Sequence, residues 1–288
     1  MNTLRQPTLS PYRTAANPRL LTAPVFSPIT RQDIPLLAAW TQNQPTRSCD
    51  YTLGGIILWA DFFDYRIAFA SSGEIIIDGL HPNDPTRRVI GLPVPDDNID
   101  PNRALKPLGE KWSDYLYDIY SFSSLAGNAM KKKRNHVNRF RVDNPSAILS
   151  PLTPANARFC LQLLARLGND GSQTGRAEQL AVARMLLHWN DFAPFMTGAV
   201  LKLNPDDDNS IVAFTIGETK GDTLHVHIEK ADHTVPGAGE TIAHLFAARA
   251  LTLNPSLQII NRQDDAGSPA IRNAKLSWRP LSLLQKYI

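Results

Sequence analysis

The chain has 288 residues, of which 43% are hydrophobic and 20% are charged, so it can build the core of one large globular domain or two ordinary ones. It has no run of eighteen apolar residues and its N-terminus lacks an apolar signal-peptide core, which argues against a transmembrane helix and a secretory leader. The two cysteines, Cys49 and Cys160, exclude a disulfide framework and a cysteine zinc site, and we predict buried thiols in a cytoplasmic protein.

Helical and strand patterns alternate in the first half of the chain. Residues 1–25 are polar and proline-rich, which predicts a flexible N-terminal arm. The pattern then predicts a helix from residue 30, a helix at 50–63, strands at 66–70, 74–77 and 87–92, a short helix at 101–109, a strand at 116–121, a basic helix and a strand at 147–150.

The second half repeats this order of elements. It predicts helices at 153–167 and 176–192, strands at 195–203, 211–217 and 223–229, a helix at 240–253, a strand at 257–261 and a helix at 268–275. This similarity of order suggests duplication of one α/β unit, with a boundary near Ser150–Pro151. We therefore predict an arm at 1–25, an N-terminal domain at 26–150 and a C-terminal domain at 151–288.

The strongest concentration of charge lies in residues 131–141. Six of these eleven residues are lysine or arginine, although the whole chain carries a formal net charge of only +3. A helix that begins here behind a Gly–Asn turn would suit an anionic or phosphate-bearing ligand or a nucleic acid. The candidate binding residues are Lys131, Lys132, Lys133, Arg134 and Arg139. The alternative is a solvated amphipathic helix whose apolar face meets a core.

A strand, a glycine-containing loop and a helix follow one another at residues 223–253. The loop contains Thr234, Gly237, Ala238 and Gly239, and the helix starts directly after it. Backbone N–H groups at such a helix start can bind a pyrophosphate, and glycines let the anion approach closely. A plain helix-entry turn explains the same residues, so both interpretations stay open.

Polar residues also alternate along the strand before this loop. His225, His227 and Glu229 are two positions apart and share one face of the strand. They could bind a metal, supply a general base, or simply form a half-exposed face.

Further along, Arg262, Asp264 and Asp265 follow the strand at 257–261. Ligands often bind at the ends of strands in α/β sheets, although a helix cap with a salt bridge explains these residues equally well.

The sequence resembles a bacterial family of unknown function that is grouped with the C-terminal domain of phosphatidylglycerol lysyltransferases. The matching segments are spread over nearly the whole chain and lie at residues 50–59, 132–140, 212–218, 227–231, 260–265 and 276–278. The resemblance implies an α/β (α+β) fold with two tandem GNAT-like units, each a mixed central sheet flanked by helices. This implication agrees with the repeated order of elements.

The resemblance also implies a chemistry. GNAT enzymes bind acyl-CoA phosphates at a loop like that at 234–239, except that Thr234 stands where arginine or glutamine is usual. Fem-type relatives take an aminoacyl-tRNA as donor, and the basic helix would suit its phosphate backbone. The membrane domain of full-length lysyltransferases has no counterpart here, so the likeness does not imply a lipid acceptor, and contact with a membrane surface stays open.

The leading hypothesis is a transferase that moves an acyl or aminoacyl group from acyl-CoA or aminoacyl-tRNA to an amine or hydroxyl, without a metal. Gly237 and Gly239 would hold the donor, Glu229 or Glu218 would be the base, and Tyr287 would be the acid. The rival hypothesis is a non-catalytic tandem GNAT-like module that binds an anionic ligand or nucleic acid. The absence of an unmistakable catalytic motif favours the rival.

Overall fold

The computed structural model describes residues 24–100 and 104–288, so residues 1–23 of the predicted arm lie outside the described residues. The chain up to Pro151 forms strands β1 (Ser27–Pro28), β2 (Arg66–Phe69), β3 (Ile75–His81), β4 (Asp84–Ile90), β5 (Val94–Pro95), β6 (Asp114–Asp118) and β7 (Ile148–Pro151), and helices α1 (Ile34–Gln42), α2 (Leu53–Trp59), α3 (Ile119–Ser124) and α4 (Lys131–Asp143). The remainder forms helices α5 (Pro154–Leu167), α6 (Gln173–Leu187), α7 (Trp189–Phe192), α8 (Ala238–Leu253) and α9 (Pro269–Leu276), and strands β8 (Thr197–Lys202), β9 (Ile211–Lys220), β10 (Thr223–Ala231), β11 (Ile259–Asn261), β12 (Ser282–Leu284) and β13 (Lys286–Tyr287).

Two main sheets of unequal size contain most of these strands, and β5 and β13 form a separate antiparallel pair. The smaller sheet has four antiparallel strands in the order β1-β2-β3-β4, and the larger has seven in the order β12-β6-β11-β10-β9-β8-β7. The larger sheet is mixed, because β10 and β11 run parallel whereas β9 and β10 run antiparallel. The predicted fold class, mixed α/β, is confirmed.

Strand β6 ties the two halves of the sequence together. It belongs to the first half, yet it pairs with β11 on one side and β12 on the other, inside the larger sheet. The predicted boundary at Ser150–Pro151 lies within β7, which pairs with β8. The division into domains at 26–150 and 151–288 stays a prediction.

Several predicted elements are confirmed and two are wrong. The hairpin around residues 71–73 forms as β2 and β3, with Gly73 at φ 87° in its turn. The predicted helix at 101–109 is wrong over its described residues, 104–109. This segment is extended because Lys106 exchanges two backbone hydrogen bonds with Ile288 and the Leu108 N–H donates to the carbonyl oxygen of Lys286. The predicted strand at 116–121 stops at Asp118, whose carboxylate caps α3 by accepting from two backbone N–H groups.

Helix α2 lies against the larger sheet at very close range, and this contact positions the site. Thr52 caps the helix by accepting from the Gly55 N–H at 3.0 Å. A Cβ on Gly54 would lie 2.4 Å from the His227 ring, and a Cβ on Gly55 would lie 1.9 Å from the carbonyl oxygen of Cys49. Glycine is therefore required at both positions for the segment from Cys49 to α2 to reach the sheet.

Candidate active site

A gap opens between strands β10 and β11. Their parallel pairing covers Thr223 to His225 against Ile259 to Asn261 and then ends. Beyond that point β10 stays paired with β9, through a bulge between Val226 and Ile228, while the chain leaves β11 at Arg262. Residues 262–265 therefore lie where backbone pairing with β10 has stopped, although Arg262 and Gln263 still exchange backbone hydrogen bonds with Tyr115 of β6. Side chains on the β10 side can meet a ligand there.

Beside this gap, three carboxylates surround one buried ammonium. Lys286 Nζ lies 2.7 Å from Asp50, 2.7 Å from Asp114 and 3.7 Å from Asp264. It also donates to Cys49 Sγ at 3.4 Å. Lys286 is only 2% exposed and Asp114 is fully buried, so water does little to screen these charges.

The pKa values of this cluster reflect both burial and the shared lysine. Burial raises the pKa of Asp264 to about 6 and also raises that of Asp50, against the opposing effect of Lys286. Burial would raise the pKa of Asp114 as well, but the Lys286 ammonium and the hydrogen bonds that Asp114 accepts lower it. Burial lowers the pKa of Lys286, but the carboxylates outweigh it and raise that pKa well above its ordinary value. Lys286 is therefore a fixed cation, and Asp264 has a pKa of about 6.

The cluster forms the floor of a pocket with aromatic walls. Cys49, Asp50, Asp264 and Lys286 line its base. Its aromatic lining residues are Trp59, Phe62, Phe63, Tyr65 and Trp112. We call this space the acidic pocket. Carboxylates beneath aromatic faces are a favourable environment for an organic ammonium group.

A buried polar layer separates the acidic pocket from β9 and β10. Glu218 accepts from the N–H groups of Leu53 and Gly54 at 3.3 and 2.7 Å, and from His227 Nε2 at 2.9 Å. Gln263 Nε2 donates to His227 Nδ1 at 2.8 Å, so in this arrangement His227 carries its hydrogen on Nε2. Glu218, predicted as a base, is 2% exposed and holds the start of α2 in place.

His225 is fully buried next to His227, with ring centroids 6.3 Å apart. Neither of its ring nitrogens has a hydrogen-bond partner among the described residues. Burial lowers the pKa of His225 well below its ordinary value, so this histidine is neutral. Within the described residues no group of histidine, cysteine and carboxylate side chains is placed to hold a metal ion.

The predicted phosphate loop lies under the basic helix. Gly237, at φ 81°, forms the N-cap of α8, and a Cβ there would lie 2.6 Å from the carbonyl oxygen of His136 in α4. Glu240, in the first turn of α8, accepts from His136 at 3.0 Å and pairs with Lys133 at 3.4 Å. The first turn of α8 thus carries a carboxylate of the protein itself. Thr234 is exposed, and its hydroxyl donates to the Asp232 carboxylate. Ala238 is buried. A Cβ placed on Gly239 would lie 3.7 Å from the Ala231 Cβ, which is an ordinary contact distance.

The predicted anion-binding residues of α4 separate into two groups. Lys131, Lys132 and Arg139 are exposed, and Arg139 pairs with Asp143. Lys133 instead turns inward and stacks over the Trp278 ring at 4.7 Å, while Arg134 donates to the carbonyl oxygens of Leu125 and Gly127. Val137 and Phe140 face the core, so the amphipathic interpretation also holds for this helix.

The remaining predicted residues lie in different places. Glu229 pairs with Arg262 at 2.7 Å at the edge of the gap. Asp265 is fully buried and accepts from Tyr115 and Arg272, which makes it a structural anchor. Tyr287 follows Lys286 on β13, and its hydroxyl donates to Gln285 at 3.1 Å. Strand alternation turns its ring away from the Lys286 side chain.

Sequence reasoning missed most of the acidic pocket. Asp50, Asp114 and Lys286 come from three distant parts of the chain, and the interpretation of Cys49 as an ordinary buried thiol predicts no place for it in a charged cluster. None of these residues belongs to a short motif. Asp264 was singled out because it follows a strand, and it is the one pocket residue that a local signal could find.

The residues matched by a family model include both the gap and part of the acidic pocket. The family described as "Phosphatidylglycerol lysyltransferase, C-terminal" matches residues 110–288, which is more than half of the chain. The chain belongs to this family. The resemblance stated from the sequence is therefore confirmed.

Solved structures extend the likeness to nearly the whole chain. A conserved protein of unknown function from Bacteroides thetaiotaomicron is 26% identical, with TM-score 0.78, over 92% of this chain and 98% of that one. L-PGS from Bacillus licheniformis is 14% identical, with TM-score 0.54, over 88% of this chain and 90% of that one. FemX is 9% identical, with TM-score 0.53, over 91% of this chain and 96% of that one. These similarities show that the chain shares the fold of these proteins, and the two tandem GNAT-like units stay a prediction.

An uncharacterised protein of Mycoplasmoides gallisepticum is 23% identical over 187 residues, which cover 62% of this chain and 56% of that protein. The match thus spans just over half the length of this curated relative.

Among the described residues of the present chain, no helix has the length and hydropathy needed to cross a membrane.

Proposed function

We propose that this protein transfers an aminoacyl group to an amine or hydroxyl acceptor, and that the acidic pocket binds the ammonium of that group. The observation that carries the proposal is the charge of the pocket floor. Asp50, Asp114 and Asp264 surround the ammonium of Lys286, and the second cation near Asp264 is Lys275, whose Nζ donates to the carbonyl oxygens of Arg262 and Asp264. Three carboxylates therefore face two ammonium groups. An entering cation would complete this balance beneath the aromatic walls.

The family description supports the same class of substrate. A lysyl group, which the family's name includes, carries an α-ammonium and a side-chain ammonium. Asp264 lines the acidic pocket and Arg262, two residues earlier, borders the gap. We therefore place the reacting carbonyl near residues 262–264, with Glu229 as the proposed base that takes the proton of the attacking acceptor.

The proposed donor is an aminoacyl-tRNA rather than acyl-CoA. Helix α4 covers Gly237, and Glu240 lies in the first turn of α8, so the place of a CoA pyrophosphate already holds protein groups. The exposed Lys131 and Lys132 offer a phosphate-binding surface on the other side of α4. A thermal-unfolding scan with and without acetyl-CoA tests the alternative donor. A rise in midpoint that Gly239→Trp removes would favour acyl-CoA.

Substituting Asp264→Asn is expected to weaken the binding of L-lysinamide, a mimic of the lysyl group, by about tenfold or more. A lost charge-assisted hydrogen bond costs about 1.5–3 kcal/mol, and tenfold corresponds to 1.4 kcal/mol. Isothermal titration calorimetry measures the affinity. Norleucinamide, which lacks the side-chain ammonium, separates the contributions of the two amines.

Asp143→Asn is the matched control, because it removes an exposed carboxylate that pairs with Arg139 far along α4. It should leave lysinamide binding unchanged. If wild-type protein binds neither amide, or if Asp264→Asn binds both as well as wild type, the acidic pocket is not the aminoacyl site. Loss of lysyl-tRNA deacylation with retained tRNA binding in Asp264→Asn would separate catalysis from a non-catalytic binding module.

Lysinamide affinity is also expected to fall as the pH is lowered through about 6. Asp264 has a raised pKa of about 6, so it is charged above that pH and becomes neutral below it, while the side-chain ammonium of the ligand stays protonated throughout. The other ionisable groups around Asp264 among the described residues are Cys49, Asp50, Tyr65, Asp114, Lys275 and Lys286. Calorimetric titrations between pH 5 and pH 7.5 should show this dependence in wild type, and a flatter profile in Asp264→Asn would assign it to Asp264.

A further inference from the structure

The acidic pocket contains a buried hydroxyl, that of Tyr65. This residue is only 8% exposed and lines the pocket together with Asp50, Asp264 and Lys286. Among the residues that the structure describes, the Tyr65 hydroxyl makes no hydrogen bond, whereas the hydroxyl of the buried Tyr115 donates to a carboxylate at 2.7 Å. Because a buried tyrosine hydroxyl normally has a partner, this unsatisfied group marks a place for a ligand atom.

The packing around Tyr65 fixes the position of its side chain. Its ring stacks on that of Phe63, with centroids 5.5 Å apart and planes 28° from parallel. The backbone of Gly79 also lies against the ring, because a Cβ on Gly79 would lie 2.4 Å from Cδ1 and 2.7 Å from Cε1 of Tyr65. The Tyr65 N–H donates to the carbonyl oxygen of Ala60 at 2.7 Å, so the backbone is held as well. The hydroxyl is therefore preorganised for binding, and it depends on glycine at position 79.

The Tyr65 hydroxyl stays protonated beside the charged pocket floor. Burial raises the pKa of Tyr65 well above its ordinary value, and the Asp50 carboxylate adds to this effect, against the opposing effect of Lys286. A neutral phenol can accept a hydrogen bond from a cation while it donates its own proton elsewhere. Asp50, Asp264 and the Tyr65 hydroxyl thus offer three acceptors to an entering cation, and a primary ammonium has three N–H donors.

The free space in the acidic pocket is small. Its volume of about 30 Å³ holds about two or three water molecules, since each needs roughly 10–15 Å³. A terminal methylene with its ammonium fits such a space. An α-ammonium instead stands on a branched carbon that also carries the carbonyl group. The side-chain end of a lysyl-type group is therefore the part of the substrate that suits the space beside Tyr65.

We propose that Tyr65 is a specificity-determining residue, which accepts one hydrogen bond from the side-chain ammonium of the bound aminoacyl group while Asp50 and Asp264 accept the other two. The pocket then selects a primary ammonium, because an apolar side chain leaves all three acceptors unpaired and an N-methylated ammonium has fewer donors. This inference rests on the proposed aminoacyl transfer. It deepens that proposal by naming which of the two ammonium groups of a lysyl group enters the acidic pocket.

Tyr65→Phe keeps the ring and removes only the hydroxyl. Calorimetry should show that this variant binds L-lysinamide about tenfold more weakly than wild type does. Its affinity for norleucinamide should be unchanged, because that ligand has no side-chain ammonium. Tyr120→Phe is the matched control, since it removes the hydroxyl of an exposed tyrosine on α3, and it should bind both ligands as wild type does.

A second measurement needs only the wild-type protein. Nε,Nε-dimethyllysinamide keeps the side-chain charge of lysinamide but has one N–H donor in place of three. It should bind at least tenfold more weakly than lysinamide. This comparison remains informative if Tyr65→Phe does not fold, which the circular dichroism spectrum and unfolding midpoint of each variant show.

The outcomes separate a failure of this inference from a failure of the proposed function. If wild-type protein binds neither lysinamide nor norleucinamide, the proposed function fails and this inference fails with it. If wild type binds both amides equally, or binds the dimethyl form as tightly as lysinamide, this inference alone is overturned. The same holds if folded Tyr65→Phe keeps the wild-type preference for lysinamide, or if it binds both amides more weakly by the same factor.

Discussion

Replacing Lys286 by methionine is expected to lower the free energy of unfolding by about 3–5 kcal/mol at pH 7. The substitution keeps much of the side-chain volume but removes the ammonium that lies 2.7 Å from both Asp50 and Asp114. Asp114 is fully buried, and its remaining partners are the Cys49 N–H and thiol and the Asn261 amide. Without the ammonium, the protein must bury uncompensated carboxylates or take up protons to neutralise them. Urea unfolding at pH 7 measures the loss.

The pH dependence of this loss shows whether stability is lost because the ammonium charge is absent or because the new side chain packs less well. Uncompensated carboxylates gain protons as the pH falls, so the difference between Lys286→Met and wild type should shrink at pH 5. Lys220→Met is the matched control, because Lys220 is also buried but donates to the carbonyl oxygen of Tyr51, and burial lowers its pKa to about 8. A cost for Lys286→Met no larger than that for Lys220→Met would show that the carboxylates are already neutral.

Local sequence signals predicted the elements around the gap. Alternating side chains in β10, the glycine loop and the apolar period of α8 all lie within about thirty consecutive residues, and the structure contains this strand, loop and helix in order. Such signals depend on spacing along the chain, so they succeed where the contacts are local. They failed at residues 104–109, where pairing with the C-terminal residues decides the conformation.

The acidic pocket could not be predicted for the same physical reason. Lys286 meets Asp50 across more than two hundred residues, and β6 brings Asp114 into a sheet built largely from the second half of the chain. Glu218 shows the same dependence on the tertiary fold, and its role as a base stays a prediction. Its position in a strand suggested an available base, but the first N–H groups of α2 and the His227 ring take its carboxylate oxygens. Whether a carboxylate is free to react depends on partners that only the tertiary fold brings to it.

Gly55→Ala is expected to destabilise the protein by at least about 3 kcal/mol, although alanine favours a helix over glycine by about 1 kcal/mol. The added Cβ would lie 1.9 Å from the Cys49 carbonyl oxygen and 2.8 Å from Thr52 Oγ1. Neither atom can move aside easily, because the Thr52 hydroxyl donates to that carbonyl oxygen and also caps α2. Thermal and urea unfolding measure the loss of stability.

Gly239→Ala is the matched control because it places the same methyl group in the first turn of α8, where the nearest atom is 3.7 Å away. This variant should be neutral or more stable than wild type by up to about 1 kcal/mol. The strain at Gly55 falls on Cys49, next to Asp50 on the pocket floor, so a folded Gly55→Ala variant should also bind lysinamide more weakly. Equal stability of the two variants would show that α2 can shift away from the sheet. Unchanged lysinamide binding in Gly55→Ala would show that the pocket does not depend on that contact.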